Sequence, residues 1–268
     1  MAGSSEGFAA QITPLLITYN ESANIERVLA KLSWARRIVV IDSGSTDGTL
    51  EILAADPRVS VVHRAFDDFA TQCQFGLTQI DTEWALSMDA DYVLTDGLIA
   101  EIGALAPEPE VAGYEAGFRY CVWGRPLRGT LYPPRTVLYR VSRARYRNEG
   151  HGHRVQIDGA VRPLHGKILH DDRKSLGRWL GSQQRYAAIE AEHLLAAAPG
   201  ELRGRDRLRL MAWPAPFLIF AYTLFAKGCL FDGWPGWLYA LQRLLAEVML
   251  ALELIDRRQG ATTKKNGE

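Results

Sequence analysis

Cysteine is scarce in this chain: Cys73, Cys121 and Cys229 are three thiols in 268 residues, odd in number and far apart. That pattern excludes a disulfide framework and a cysteine-rich zinc module, and it fits a reducing compartment. Excess charge is missing too. The 31 basic and 31 acidic residues cancel, so no whole-molecule field draws in nucleic acid, and none is expected as a partner. The uncharged stretch from Leu210 to Ala226 is interrupted by Pro214 and Pro216 and falls short of the roughly 20 apolar residues that a membrane-spanning helix needs. Met1 to Gln11 lacks the basic-then-apolar order of a signal peptide. No internal repeat is present. No Gly-x-Gly-x-x-Gly follows the first apolar run, which disfavours a dinucleotide-dependent oxidoreductase. What is present is a 47% apolar composition, enough for one substantial core and a small appendage.

Residues 12 to about 105 alternate between strand and helix patterns. Ile12 to Thr18 is a short apolar strand. Ser22 is placed to cap a helix whose apolar positions Ile25, Val28, Leu29 and Leu32 follow helical spacing. Strand Ile38 to Ile41, a helix from about Gly48 to Ala55, strand Val59 to His63 and a helix from Asp67 to Ile80 come next. Trp84 to Met88 is another strand, and Thr95 can cap a helix that runs through Leu105. This alternation predicts an α/β fold with a mostly parallel sheet covered by helices on both faces. From 106 to 175 the texture changes. Strand-like segments Tyr114 to Val122, Thr136 to Val141 and Val155 to Ile157 are separated by Gly, Pro and Arg, which suggests an antiparallel extension of the same domain. Residues 176–258 read as a C-terminal helical region, with helices Leu176 to Ala198 and about Trp237 to Arg258, followed by a polar tail at 259–268.

The chemistry concentrates at three strand ends. Thr18-Tyr19-Asn20-Glu21 closes the first strand, Asp42-Ser43-Gly44-Ser45-Thr46-Asp47-Gly48-Thr49 closes the second, and Asp89-Ala90-Asp91 closes the fourth. Ligands of open α/β sheets bind along that edge, and carboxylates there suit a divalent cation and a hydroxylated ligand. Each element alone is weak; together they are specific. With these elements the chain resembles family-2 glycosyltransferases of the GT-A type, and within them the bacterial lipopolysaccharide-core glucosyltransferase-like branch. The likeness runs from Ile12 to Leu230-Phe231-Asp232-Gly233-Trp234-Pro235-Gly236.

The resemblance implies a GT-A fold with two halves, residues 12–105 for the nucleotide-sugar and 106–175 for the acceptor. It implies that Thr18, Tyr19, Asn20, Glu21, Asp42, Ser43 and Asp89 line the nucleotide-sugar pocket, with Asp42 accepting from the base or ribose of a uridine nucleotide. Asp91, helped by Asp89, would hold Mg²⁺ or Mn²⁺ against the diphosphate, and His170 is a candidate third ligand. The general base is less settled. Relatives carry Val-His-Glu where this chain reads Asn148-Glu149-Gly150-His151-Gly152-His153-Arg154-Val155. His153 takes the place of the usual Glu, and Glu149 competes with it. His151, Asp171 and Asp172 are further candidates. Arg173, Lys174 and Arg185 are candidate phosphate contacts.

The implied activity is inverting, metal-dependent transfer of a sugar from a UDP-sugar to a lipid-linked or cell-envelope glycan acceptor. The setting expected is the inner face of the bacterial cytoplasmic membrane, with the C-terminal helical extension resting on the membrane surface. Two alternatives differ in class. One is a catalytically degenerate GT-A protein that binds a sugar-nucleotide or acts as a scaffold. The other is a nucleotidyltransferase, disfavoured because no Gly-rich, Lys/Arg-containing loop follows the first strand.

Overall fold

The computed structural model describes residues 7–149, 152–198, 200, 202 and 204–265, with the side chains of 149, 152, 153 and 261–265 left out. By contacts the chain forms two compact units, one of residues 1–126 and 132–173, the other of 127–131 and 174–268.

The first unit begins with β1 (Ile12–Thr18), α1 (Ile25–Lys31), β2 (Ile38–Asp42), α2 (Thr49–Ala54), β3 (Val59–His63), α3 (Phe69–Leu77), β4 (Trp84–Asp89), β5 (Tyr92–Leu94) and α4 (Asp96–Gly103). It continues with β6 (Val111–Val122), β7 (Arg125–Pro126), β8 (Arg135–Arg140), β9 (Ala144–Glu149), β10 (Gly152–Ile157) and β11 (Ala160–His170). The sheet runs in the order β3-β2-β1-β4-β8-β6-β11-β5, with β7 paired to β6. Strands β3, β2, β1 and β4 are mutually parallel. Strand β8 is antiparallel to both β4 and β6, and β11 is parallel to β6. The mostly parallel sheet expected from sequence is therefore only half of a mixed one. The antiparallel part lies in the segment whose spacing lacked helices between strands, because without a crossover helix a strand returns alongside its predecessor. Two reversals leave β4, β6 and β11 pointing the same way, so their carboxyl ends share one edge with those of β1 and β2.

The run Ile38-Val39-Val40-Ile41 shows how both faces are covered. All four side chains are fully buried. Ile38 and Val40 join the cluster that includes Ile25, Val28 and Leu29 of α1, Leu53 of α2 and Leu98 of α4. Val39 and Ile41 join the cluster with Leu77 of α3, Tyr139 and Ala144, against which Tyr146 and Val155 of the β9–β10 hairpin pack. A strand with no polar face is what a sheet covered on both sides requires.

Helix ends follow local chemistry. Asp68 caps α3 by accepting from Thr71 N at 2.8 Å, and Thr95 caps α4 as expected, accepting from Leu98 N. Ser22 does not cap α1. Its hydroxyl donates to Asp47 at 2.9 Å, and the N-cap is Asn24. That carboxylate competes for the Ser22 hydroxyl, which is the physical reason the cap moved.

The second unit holds α5 (Leu176–Ala196), α6 (Gly204–Leu210), α7 (Pro214–Ala221), a π-helical turn Tyr222–Ala226, a 3₁₀ turn Cys229–Asp232 and α8 (Trp234–Lys265). Among the described residues no helix is long and apolar enough to cross a membrane. Helix α8 starts three residues before the expected Trp237, because Pro235 is well suited to a first helical turn. Ala187, Ala191 and Leu194 of α5 pack with Leu250 and Leu254 of α8. Glu247 of α8 is buried and accepts from Arg209 Nε through both carboxylate oxygens. Gly236 sits so close to the Cys229 carbonyl that a Cβ there would meet it at 1.8 Å. Gly236→Ala should therefore destabilise the second unit by about 1–3 kcal/mol or more, the cost of overpacking against immobile backbone. Thermal unfolding of the full chain followed by circular dichroism would check this.

Candidate active site

Strand-end residues build the site. The β1–α1 and β2–α2 loops are stitched together by side chains. Asn20 N donates to Ser45 Oγ at 2.8 Å, Thr46 N to Asn20 Oδ1 at 2.7 Å, and Glu21 N to Thr49 Oγ1 at 2.7 Å. Asp47 accepts from the Ser22 hydroxyl at 2.9 Å and from Thr49 Oγ1 at 2.5 Å. Asn20 adopts φ 57°, a left-handed conformation that asparagine tolerates.

Asp42 is the centre of this turn. Its side chain is fully buried. Oδ1 accepts from Gly44 N and Ser45 N, both at 2.9 Å, and Oδ2 from Thr18 Oγ1 at 3.0 Å and Ser45 Oγ at 2.5 Å. A carboxylate offers about four lone-pair positions, and these four donors fill them. Burial alone would raise its pKa, but the bonds from Ser45, Gly44 and Thr18 outweigh that and hold it below the usual carboxylate range. In this geometry Asp42 shapes the loop, both of its oxygens engaged within the turn. Thr18 is likewise buried and spent on Asp42. Glu21 is buried beside Asn24, which donates to it at 2.9 Å. Of the expected pocket residues, Tyr19 faces outward with 54% exposure. Ser43 is half-buried, its hydroxyl accepting from Gln72 Nε2 at 2.9 Å.

The second cluster lies at the ends of β4 and β11. Asp89 closes β4 beside Ile17 of β1 and is half-buried. Asp91 follows, and its Oδ2 lies 3.2 Å from His170 Nε2, with both side chains largely buried. The backbone also joins them, since Asp171 N donates to Asp91 O at 3.2 Å. The imidazole is walled by Tyr92, Tyr120 and Tyr132, whose ring centres lie 4.9–5.3 Å away. Burial alone would lower the His170 pKa, but the pull of Asp91, with Asp89 and Asp172 farther off, wins and raises it. His170 Nδ1 is buried with no hydrogen-bond partner. The structure thus brings Asp91 and His170 together, as expected of two members of one site.

Asp171 is not placed as a base. It is 3% exposed and accepts from Arg27 Nη1 at 2.7 Å, Arg173 Nε at 2.9 Å and Gly124 N at 3.0 Å. A carboxylate held by two guanidinium groups and a backbone N–H is fixed in place. Arg173, a candidate phosphate contact, is correspondingly committed to Asp171. Asp172 accepts from Asn24 Nδ2 at 3.2 Å.

Of the other candidate bases, His151 lies outside the described residues, as do the side chains of Glu149 and His153. Their backbone belongs to the β9–β10 hairpin, where His153 pairs with Asn148 and Glu149 with Gly152. The hairpin is fastened to α3, since Ala70 N donates to Asn148 Oδ1 at 3.4 Å and Gln74 Oε1 accepts from Tyr146 N at 3.0 Å. All three cysteines are buried and free. Burial pushes the Cys121 thiol up to about 11, which removes cysteine nucleophiles from consideration.

The family profile for Glycosyl transferase family 2 matches residues 15–162, more than half of the chain and all of the strand-end residues just described except His170 and its neighbours. The chain belongs to glycosyl transferase family 2. This transferase is 24% identical to the lipopolysaccharide core biosynthesis glycosyltransferase LpsC of Rhizobium meliloti (strain 1021) over 263 residues, 92% of each chain. It is 35% identical over 99 residues to an uncharacterized glycosyltransferase of Rickettsia bellii (strain RML369-C), covering 37% of this chain and 33% of that one. Among solved structures it is similar to S. aureus TarS 1–349 in complex with UDP-GlcNAc, at 14% identity and TM-score 0.47, with 93% and 92% coverage. It is also similar to glucosyl-3-phosphoglycerate synthase from Mycobacterium tuberculosis in complex with Mn²⁺, UDP and phosphoglyceric acid, at 16% identity and TM-score 0.46, with 69% and 77% coverage.

Sequence reasoning missed the supports of this transferase's site. Tyr120 and Tyr132, which wall His170, come from the antiparallel half, and no local pattern announces them. Arg27 could have been noticed as a cation one turn from Asn24 on the helix that follows the first strand.

Proposed function

We propose that this transferase moves one sugar from a UDP-sugar to a lipid-linked or envelope-glycan acceptor, with inversion at the anomeric carbon. The observation that carries the reading is the Asp91–His170 pair at the shared strand edge, 3.2 Å apart, with the second imidazole nitrogen buried and unpartnered. Asp89 ends β4 two residues before it. Among the described residues no group of three or more His, Cys, Asp or Glu is arranged to hold a metal alone. A hard cation takes one or two carboxylates from a protein and the remainder of its shell from phosphate oxygens and water.

Asp91, Asp89 and His170 fit Mg²⁺ or Mn²⁺, their oxygen and imidazole donors matching those ions. When bound, such an ion supplies neutralisation of charge on the departing diphosphate. The chain's own residues do the rest. Tyr19 and Ser43, on loops fixed by Asn20, Asp42 and Asp47, flank the nucleotide. A base on the β9–β10 hairpin, His153 or Glu149, takes the proton of the acceptor hydroxyl as its oxygen attacks C1. The C1–O bond to the diphosphate breaks, and UDP leaves with that electron pair. Inversion follows from attack opposite the leaving group in a single displacement. The likeness over 92% of each chain to a lipopolysaccharide core biosynthesis glycosyltransferase supports an envelope-glycan acceptor, and such an acceptor would place the work at the inner face of the cytoplasmic membrane.

A donor panel tests this. Purified chain with Mn²⁺ should release UDP from one or a few UDP-sugars, slowly by hydrolysis without acceptor and faster with an envelope-glycan extract, and chelation should stop both. Release of no nucleoside diphosphate from any donor would overturn the reading in favour of a sugar-nucleotide binder.

A further inference from the structure

The second unit carries an apolar surface that nothing in it covers. Along α7 and the π turn, Trp213, Phe217, Leu218, Tyr222 and Phe225 are exposed, Trp213 at 73%, while Ala215, Pro216, Thr223 and Leu224 are buried. A helix that turns only apolar side chains outward over three turns is unusual for a surface bathed in water. The widened turn is stable as built, because the Thr223 hydroxyl donates to Ile219 O at 2.7 Å. The surface continues onto α8, where Trp234 and Trp237 are exposed and Trp237 stacks 6.3 Å from Phe220.

Charge decides what fits there. Between Gly204 and Trp237 the exposed charged side chains are Arg205 and Arg207. The carboxylates in that segment are withdrawn: Asp206 keeps 16% and Asp232 8% side-chain exposure, each beside an arginine. Two further cations lie over the aromatic rings, Lys227 over Tyr222 at 5.6 Å and Arg128 over Phe231 at 5.8 Å. Across a two-fold interface with a second copy, like would face like and these cations would repel. An anionic lipid surface meets both features at once, since aromatic side chains settle at the headgroup boundary and arginines pair with phosphates.

We infer that the α7–π-turn surface, with Trp234 and Trp237, docks on an anionic phospholipid monolayer, Trp213 and Phe217 entering the acyl boundary and Arg205 and Arg207 meeting headgroup phosphates. This deepens the envelope-acceptor reading and rests on it for its setting: a shallow, reversible seat beside which a lipid-linked acceptor is presented.

The test uses the full chain and extruded vesicles. The parent should float with phosphatidylethanolamine/phosphatidylglycerol vesicles and bind phosphatidylcholine vesicles at least roughly tenfold less. Its tryptophan fluorescence should be quenched by brominated acyl chains, and about 0.5 M NaCl should weaken binding. The double variant W213E/F217E should lose roughly tenfold or more of the vesicle binding while keeping its melting temperature and its vesicle-free UDP release. R205E/R207E should lose the preference for anionic lipid. Absence of flotation and quenching in the parent, or a W213E/F217E variant that binds as well as the parent, would overturn the inference. So would sedimentation showing a dimer that W213E/F217E dissociates, because a second copy would then cover the face. Failure of vesicle binding with intact UDP release sinks this inference alone; intact binding without UDP release sinks the donor reading alone.

Discussion

Replacing Asp91 with alanine should lower transfer by about 100- to 1,000-fold while leaving the sheet folded, the usual cost of removing a group that stabilises developing charge. Asp91 stands where strand ends bring a carboxylate against a largely buried imidazole, with His170 Nε2 3.2 Å away. Its backbone is held independently of the side chain, because its carbonyl accepts from Asp171 N. Asp91→Asn separates shape from charge. It keeps an oxygen for His170 but loses the anion, so its activity should fall nearly as far as that of the alanine variant. Product formation and UDP release, each with and without chelator, read the activity, and a thermal melt reads the fold. Parent-like turnover by Asp91→Ala with divalent ions chelated would sink the mechanism.

The second large effect concerns stability. Asp171→Ala should destabilise the first unit by about 3–5 kcal/mol, because it leaves Arg27 and Arg173 half-buried without the anion that compensates them. That is a large share of the 5–15 kcal/mol typical of a folded domain. Arg27 Nη1 and Arg173 Nη2 lie 2.7 and 2.8 Å from Asp171 Oδ2, and Gly124 N holds the other oxygen at 3.0 Å. The carboxylate therefore ties the first helix, the end of β6 and the exit of β11 together, and its neighbour His170 is positioned by that knot. Urea unfolding should show the midpoint falling with an unchanged slope. A variant as stable as the parent yet inactive would instead return Asp171 to the list of bases.

The strand edge was legible because its signals are local. An apolar run that stops at Asp42 or Asp89 announces both a strand and the residue at its carboxyl end, and parallel pairing then collects those ends. Asp91 and His170 were named from motif and order, and the sheet's two reversals bring them together. At Asp42, spacing shows that a carboxylate ends the strand but not which way it points. Only the turn geometry shows Ser45 and Gly44 closing back upon it. Asp171 misled for a related reason: its partners Arg27 and Gly124 are 144 and 47 positions away, and no periodicity links such distant residues. Ser22 went to Asp47 for the same reason. In the C-terminal unit the apolar stretch was plain, but its division into α6, α7 and a π turn was not, because Pro214 and Pro216 are equally compatible with a break or with the first turn of a helix.

The reciprocal knots between the first two loops bear on how a nucleotide would be received. Asn20 is bonded to Ser45 and Thr46, and Thr49 to Glu21 and Asp47, before any ligand arrives. The cradle is rigid in advance, so capture there forfeits little conformational freedom, and less of the contact energy is lost to ordering. A receptor built this way trades adaptability for readiness: it should tolerate few substitutes for its preferred nucleotide, leaving variety among products to whatever occupies the opposite half.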